Sequence, residues 1–353
     1  MNIGFDGKRA ANNLTGLGNY SRSLILQLSE FFRQNHYFVY SPRVKQTAQI
    51  SSFFEKDNIF LKLPEKSGLK FLWRSFGIKY QLKNNHIDLY HGLSGEIPLG
   101  MDHIPIKTIV TIHDLIYLRF PRNYKYIDRT IYNFKNRYAC KHADHIIAIS
   151  EQTKKDIIEY YGTEASKIEV IYQTCDDSFK HPLPEDFKAD IRRKYNLPEK
   201  YILSVGTIEP RKNLLLAIQA LKMVHPDFKL VVVGKKQAYA QQVIAEIERS
   251  SLSDRVIFLK DIPFTDLPAI YQLALVFVYP SFYEGFGIPI IEALYSGIPV
   301  VAATGSCLEE AGGPDSIYID PNNASALAKA LQTILEDPDL ANRMRERGLT
   351  YVQ

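Results

Sequence analysis

The sequence predicts a doubly wound α/β protein with two lobes. Two series of short apolar runs follow each other along the chain, and most neighbouring runs are separated by stretches of helical character. The runs are apolar throughout rather than alternating, as in parallel strands that are covered on both faces. Alternating strands and helices are typical of doubly wound folds, and 353 residues exceed one typical core. We therefore expect two domains of similar architecture.

The first series of strand candidates gives the N-terminal domain, residues 1–178. Its members stand at 2–5, 37–40, 87–90, 108–112, 145–149 and 168–171. Residues 41–66 are irregular in pattern. The stretch ISEQTKKDI, residues 149–157, predicts a helix that begins after a capping Ser150.

The second series gives the C-terminal domain, residues 179–353. Its strand candidates stand at 201–205, 229–233, 255–259, 275–279 and 299–303, after a basic helix at 190–195. The polar stretch QTCDDSFKHPLPEDF, residues 173–187, holds two prolines and predicts the hinge between the domains. Two such lobes facing each other would leave a cleft lined by the carboxyl ends of both sheets, where these folds bind ligands.

Composition and charge narrow the class of protein. Residues 1–178 carry 24 Lys and Arg against 18 Asp and Glu, a net +6, whereas residues 179–353 carry 19 against 21, a net −2. A basic first half can attract anionic partners such as lipid headgroups, although ordinary scatter of solvated charges explains it equally well. Three scattered cysteines, no signal-peptide pattern and no run near the roughly 20 apolar residues of a membrane span predict a cytoplasmic protein.

The strongest chemical signal is SFYEGFGIPIIEALYSG, residues 281–297. Gly285 and Gly287 allow the backbone to approach a ligand closely before a helix begins. The free N–H groups of that helix start favour anionic or oxygen-rich ligands. Glu284 in the loop and Glu292 one turn into the helix can then grip one ligand through its hydroxyl groups. The alternative is a glycine turn with two solvated glutamates, but burial beside IPIIEAL gains a glutamate nothing unless it is paired.

A second signal is GTIEPRKN, residues 206–213, directly after the strand YILSV. Gly206 ends the strand, and Arg211 and Lys212 are predicted to open the next helix. Two cations at a helix N-terminus oppose the helix dipole, and a bound diphosphate would reverse that balance. The alternative is that both cations point into water. The stretch lacks the Walker pattern of nucleoside-triphosphate-binding loops.

Two further motifs lie in the first half. TIHDL, residues 111–115, places His113 at the carboxyl end of a buried strand, where it is either a satisfied core residue or a group that bonds substrate. In NNLTGLGNYSRSL, residues 12–24, Gly16 and Gly18 precede a helix. The third glycine of a dinucleotide fingerprint is missing, and no acidic residue follows the second strand, which argues against a nicotinamide dehydrogenase.

The aromatic segment LKFLWRSFGIKY, residues 69–80, has two interpretations. Its apolar residues fall on one side of a helix, which favours packing on the sheet, with contact to a membrane or acceptor as the minority interpretation. The apolar residues concerned are Leu69, Leu72, Trp73, Phe76 and Tyr80.

In this order, the motifs closely resemble the retaining glycosyltransferases of the GT-B fold known as family 4. The resemblance covers nearly the whole chain and rests on the glycine loop at 16–18, TIHDLIYLRFP, the ADHIIAISEQTKKDI stretch, VGTIEPRKN and, above all, PSFYEGFGIPIIEALYSGIPVVA. It implies two Rossmann-like domains. Family members usually continue into a final helix that crosses back onto the first lobe. Here the sequence stops at GLTYVQ, so either the sequence is shortened or that helix is absent.

The resemblance also implies roles for single residues. Glu284 contacts hydroxyls of the donor sugar, Glu292 holds the ribose, and His113 bonds the sugar. Arg211 and Lys212 neutralise the diphosphate, all the more because Thr207 stands where some relatives carry arginine. The backbone implied to line the donor belongs to Gly16, Gly206, Thr207, Ile262, Gly285, Phe286, Gly287 and Ile288. Near Ile262, LKDIP lacks a glycine that many members have.

The expected activity is transfer of a hexose from a nucleotide-diphosphate sugar to a glycan or lipid-linked acceptor, with net retention and no metal or other cofactor. GDP-mannose is the favoured donor, with UDP-sugars as the alternative. Nucleic acid is not an expected partner, whereas peripheral contact with the inner membrane surface is. The rival functions are a sugar-nucleotide-binding protein without transfer activity and an epimerase or phosphorylase of the same fold.

Overall fold

The computed structural model describes residues 1–14, 16–65 and 73–353. The chain forms two compact units, Met1–Gln173 and Thr174–Gln353. The boundary therefore falls at the start of the polar stretch 173–187, whereas the sequence pattern predicted it after residue 178.

The first unit is built on a parallel sheet. Its described strands run in the spatial order β3-β2-β1-β4-β5-β6-β7, and every pair is parallel. They are β1 (Asn2–Asp6), β2 (His36–Tyr40), β3 (Ile59–Lys62), β4 (Leu89–Gly92), β5 (Lys107–Ile112), β6 (His145–Ala148) and β7 (Ile168–Val170). The strand order reverses at β1, and doubly wound sheets place their binding crevice at such a point.

Helices connect these strands. They are α1 (Lys8–Asn12), α2 (Gly16–Phe31), α3 (Ala48–Phe53), α4 (Ile78–Asn84), α5 (Ile116–Arg119), α6 (Tyr126–His142) and α7 (Glu151–Tyr161). The predicted start of α7 is confirmed, because the Ser150 side chain accepts a hydrogen bond from the backbone N–H of Thr153.

The second unit repeats the plan. Its described strands are all parallel in the order β10-β9-β8-β11-β12-β13. They are β8 (Tyr201–Val205), β9 (Lys229–Val233), β10 (Val256–Leu259), β11 (Val276–Tyr279), β12 (Val300–Ala303) and β13 (Ile317–Ile319). Its helices are α8 (Glu185–Lys194), α9 (Leu214–Leu221), α10 (Ala240–Arg249), α11 (Leu267–Gln272), α12 (Ile288–Tyr295), α13 (Leu308–Gly312), α14 (Ala324–Glu336) and α15 (Pro338–Val352).

The predicted α/β class with two Rossmann-like sheets is confirmed. The prediction missed β3 and β13, which are the edge strands of their sheets. Both are short, at four and three residues, and runs of that length are a weak signal for a strand.

The aromatic segment at 69–80 agrees only in part with the favoured interpretation, which was that its apolar residues pack on the sheet. Leu69 and Leu72 lie outside the described residues, and Trp73 packs against the core. Phe76 and Tyr80 are exposed, so the core prediction is wrong for them, and Ile78 is buried instead. A π-helical turn over Trp73–Gly77 explains the change, because its wider turn shifts which residues face the sheet.

The last helix, α15, packs within the second unit, where Tyr351 Oη donates to the backbone oxygen of Glu310 at 2.8 Å. Within the described parts of the chain, no helix combines the length and apolar character needed to cross a bilayer.

Candidate functional site

The predicted cations and the loop glutamate meet in the second unit. Strands β8 and β11 are neighbours in the sheet, so the segments after their carboxyl ends lie side by side. The segment after β8 carries Arg211 and Lys212, and the segment after β11 carries Glu284. The backbone N–H of Phe282 donates to the Arg211 oxygen at 2.9 Å and joins the two segments.

Glu284 bridges both cations. Its Oε1 lies 2.6 Å from Lys212 Nζ, and its Oε2 lies 2.6 Å from Arg211 Nη1. Glu284 is only 8% exposed, so both ion pairs are shielded from water. Arg211 also reaches Glu209 Oε1 at 2.7 Å and donates to the backbone oxygen of Tyr283. Two positive and two negative side chains therefore balance at this point.

The ionisation of these groups follows from that pairing. Burial disfavours the Glu284 carboxylate, but the charges of Lys212 and Arg211 outweigh burial and lower its pKa. Loss of water lowers the pKa of Lys212 against the attraction of Glu284. For Arg211 the burial penalty is outweighed, chiefly by Glu284, and its pKa rises. Phosphate oxygens arriving here would compete with Glu284 for the same two cations.

The cations do not open helix α9 as predicted. They lie in a 3-10 turn, Pro210–Lys212, and Asn213 then adopts a left-handed conformation with φ of 56° before α9 begins. Asn213 Nδ2 donates to the backbone oxygens of Pro280 and Pro321. This turn aims Lys212 across the end of β11, where its ammonium sits 4.8 Å from the centre of the Tyr279 ring and donates to the Tyr279 hydroxyl.

Glycine is required at two turns beside these charges. Gly206 has φ of +150°, and Gly287 has φ of +139° just before α12. Gly206 and Thr207 line a small cavity together with Lys212 and Tyr279. Ile288 begins α12 with Pro289 in its first turn, as predicted. The side chain of Phe286 is buried, so only its backbone is left to meet a ligand.

The second glutamate of the motif has a separate partner. Tyr271 Oη donates to Glu292 Oε2 at 2.8 Å. Burial raises the pKa of Glu292 to about 7, although the Tyr271 hydrogen bond works against that rise. Glu292 is therefore partly protonated near neutral pH.

Ile262 lies in the connection after β10 and is half-buried. The preceding Asp261 adopts φ of +49°, a conformation that glycine takes most readily. The backbone therefore makes here the kind of turn for which glycine is suited, although the residue is aspartate.

His113 and Gly16 belong to the first unit. His113 Nε2 donates to the Leu93 backbone oxygen at 2.8 Å, and His113 Nδ1 lies 3.2 Å from Gln173 Nε2. Burial lowers the pKa of His113 to about 4, so the ring is neutral. Gly16 starts α2, and among the described residues no atom would lie within 4 Å of an added Cβ. At Gly18, in contrast, a Cβ would overlap the Asn13 oxygen.

Sequence reasoning missed several members of this constellation. Glu209 stands inside the quoted GTIEPRKN motif, and Tyr279 ends a predicted strand, so both could have been found from position. The buried Cys307 gave no signal, yet its thiol contacts the backbone oxygens of Glu284 at 3.1 Å and Phe286 at 2.8 Å. Across the described ranges, no three His, Cys, Asp or Glu side chains cluster as a metal site would require.

Both halves of the chain match family models. Residues 14–179 match the model described as Glycosyltransferase Family 4, and residues 187–350 match Glycosyl transferases group 1. O-antigen chain mannosyltransferase B of Escherichia coli is 27% identical over 96% of this chain and 92% of its own length. O-antigen chain mannosyltransferase RfbU of Salmonella typhimurium is 30% identical over 69% of this chain and 65% of its own.

Solved structures show the same fold. Anabaena HepE in complex with UDP and glucose superposes with a TM-score of 0.77 at 19% identity, over 100% of this chain and 94% of the other. Sucrose-phosphate synthase from Thermosynechococcus elongatus gives a TM-score of 0.79 at 23% identity, again over 100% and 94%. At such identities the likeness supports the two-domain GT-B architecture alone.

Proposed function

Because the chain belongs to the family 4, or group 1, glycosyltransferases, we propose that it moves a mannosyl group from GDP-mannose to a glycan or lipid-linked acceptor. The product would be part of a cell-surface polysaccharide. The names of the two relatives, both O-antigen chain mannosyltransferases, support the sugar and the class of acceptor. A UDP-sugar is the alternative donor.

One observation carries the proposal: Arg211 and Lys212 converge on a single carboxylate at the mouth of helix α12. Breaking the bond between a sugar and a diphosphate leaves negative charge on the diphosphate. Two fixed cations and the N–H groups of a helix start stabilise that charge in a site with little water. On donor binding, phosphate oxygens replace Glu284 at the cations, and the freed carboxylate accepts hydrogen bonds from sugar hydroxyls.

The proposal assigns a part of the donor to each of the other predicted residues. Glu292 accepts hydrogen bonds from the ribose, and the backbone near Ile262 meets the base. His113 and Gly16 act from the first unit, on the sugar and the diphosphate respectively. The remaining donor contacts are backbone groups of Gly206, Thr207, Gly285, Phe286, Gly287 and Ile288.

We propose net retention at the anomeric carbon. The acceptor oxygen bonds to that carbon on the face from which the diphosphate leaves, and the acceptor proton passes to the departing phosphate oxygen. No protein nucleophile is needed in this scheme. Since the protein supplies its own cations, we also propose that transfer requires no metal, and that the protein contacts a membrane peripherally to reach a lipid-linked acceptor.

The test begins with thermal melting against GDP, GDP-mannose, UDP and UDP-glucose. We expect the GDP compounds to raise the melting temperature and the UDP compounds to leave it unchanged. Labelled GDP-mannose is then offered with synthetic mannosides and polyprenyl-diphosphate oligosaccharides, with and without EDTA, and the anomer formed is read by NMR.

The expected product is an α-mannoside, formed equally with EDTA present. Stabilisation by UDP compounds alone would overturn the choice of donor. Donor binding with no product from any acceptor would favour the binding-protein alternative, and conversion of the donor without acceptor would favour an epimerase.

A further inference from the structure

The outward face of helix α6, in the first unit, is unusually apolar for a surface. Ile127 is 70% exposed, Phe134 59% and Ile131 46%. Single exposed apolar residues are normal on protein surfaces, but three large ones together on one face mark an interaction site.

Helical geometry shows that these residues form one stripe. At roughly 100° per residue, Ile127, Ile131 and Phe134 fall within about 60° of one another around the helix axis. Ala139 and Cys140, the buried residues of α6, fall on the opposite side. The stripe therefore points away from the core of the unit.

Cations surround this stripe. Arg137 and Lys141 lie on the same side of the helix, and Arg122 and Lys125 precede it, all of them exposed. Asp128 is the only carboxylate in residues 121–142. A face that combines apolar residues with positive charge is complementary to a surface that is apolar beneath and negative above.

One tyrosine adds to the pattern. Tyr126, the first residue of α6, is 72% exposed, and Arg129 stacks over its ring. Tyr132 is not part of the outward face, because it falls on the side of Ala139 and its ring packs against Tyr117. Tyrosine has an apolar ring and a polar hydroxyl, and it is enriched where lipid tails meet headgroups.

We propose that the outward face of α6 docks on a bilayer rich in anionic lipids. Ile127, Ile131 and Phe134 enter the boundary between headgroups and acyl chains, while the four cations contact lipid phosphates. This proposal gives a location to the membrane contact proposed above. It rests on that part of the proposed function alone, not on the donor or the transfer reaction. Vesicle binding needs neither donor nor transfer, so the two proposals fail separately.

The test is co-sedimentation of the full chain with vesicles. One set contains phosphatidylcholine alone, and the other contains equal parts of phosphatidylcholine and phosphatidylglycerol. We expect binding to the anionic vesicles only, weakened by salt. The double variant Ile127→Ser/Phe134→Ser should lose at least about tenfold in partitioning, because two large side chains no longer enter the lipid. Arg137→Gln/Lys141→Gln should lose roughly tenfold as well.

Phe31→Ser is the matched control, since Phe31 is 79% exposed at the end of α2, away from α6. It should bind vesicles like the parent, and all variants should keep the parent's melting temperature and its shift with GDP. Equal sedimentation of the parent and the α6 variants, or no vesicle binding by the parent, would overturn the proposal. So would light scattering that shows a dimer broken by Ile127→Ser/Phe134→Ser, because the face would then join two copies of the chain.

Discussion

Glu284 holds two cations with its two carboxylate oxygens, and this arrangement sets how strongly the site attracts phosphate. With Glu209 included, the charges of Arg211 and Lys212 are already balanced. A diphosphate must displace Glu284 to reach them, so part of its attraction is offset. The same competition would help a nucleoside diphosphate to leave after transfer.

We therefore expect Glu284→Gln to bind GDP roughly tenfold more tightly while losing transfer activity. The amide keeps the size of the side chain but no longer neutralises the cations, and it is a weaker acceptor for sugar hydroxyls. Titration calorimetry measures the affinity. Glu209→Gln is the matched control, because Glu209 pairs with Arg211 alone and should produce a smaller gain. Unchanged or weaker GDP binding by Glu284→Gln would refute the competition.

Glu292 makes the stability of the protein depend on pH. Burial raises the pKa of its carboxyl to about 7 in the folded protein, against an ordinary value of 4.5. Between these pH values the folded chain keeps a proton that the unfolded chain releases, so stability falls as the pH rises through this window. Glu292→Gln has no carboxyl to ionise, so its stability relative to the parent should increase as the pH rises from 5 to 8. Calorimetric melting at several pH values measures this difference. A constant difference across that range would contradict the raised pKa.

The hydrogen bonds of His113 bear on the two interpretations of the TIHDL motif. The Leu93 oxygen can only accept, so Nε2 carries the proton and Nδ1 accepts from Gln173. Both nitrogens thus have protein partners, as the core interpretation of TIHDL requires. Its bond to a sugar stays a prediction, and a sugar hydroxyl would have to replace Gln173 at Nδ1.

The loop between β11 and α12 is hydrogen-bonded to the connection between β12 and α13. Cys307, which directly precedes α13, has one thiol hydrogen shared between the backbone oxygens of Glu284 and Phe286. At Gly287 an added Cβ would come within 3.1 Å of the Ala311 Cβ in α13. The position of Glu284 therefore depends on an element that does not belong to its own motif.

We expect Cys307→Ala to lower the free energy of unfolding by about 1–2 kcal/mol, since it removes a buried hydrogen bond and leaves a small void. It should also lower kcat several-fold without weakening GDP binding, because Glu284 is displaced while Arg211 and Lys212 are not. Cys307→Ser restores a donor and should recover much of kcat. If Cys307→Ala and Cys307→Ser have equal kcat, the thiol does not position the loop.

Regular elements were predictable where their pattern was strong. Central strands such as β8 and β9 were predicted at their observed bounds, because both faces are covered and every residue except Ser204 and Lys229 is apolar. The edge strands β3 and β13 escaped because they are short and partly exposed. Around Trp73–Gly77 the π-helical turn defeated a pattern that assumed regular helical spacing.

At the scale of the whole chain, the sequence predicted which segments carry the candidate residues of the second unit, but not how their side chains pair. Parallel strands bring their carboxyl ends to one edge, which explains why GTIEPRKN and the Glu284 loop meet after β8 and β11. That Glu284 would occupy both cations depends on side-chain conformations that no spacing reveals. The clustering of apolar and basic residues on α6 likewise became visible only once burial of each residue was known.

The most direct measurement is titration calorimetry of GDP and guanosine against the parent and Lys212→Gln. If Lys212 binds the diphosphate, the variant should lose at least about tenfold in affinity for GDP and nothing for guanosine, which has no phosphate. Should a UDP compound prove to be the stabilising ligand, UDP and uridine take their places. Equal affinity of parent and variant for the nucleoside diphosphate, or a matching loss for the nucleoside, would contradict the account.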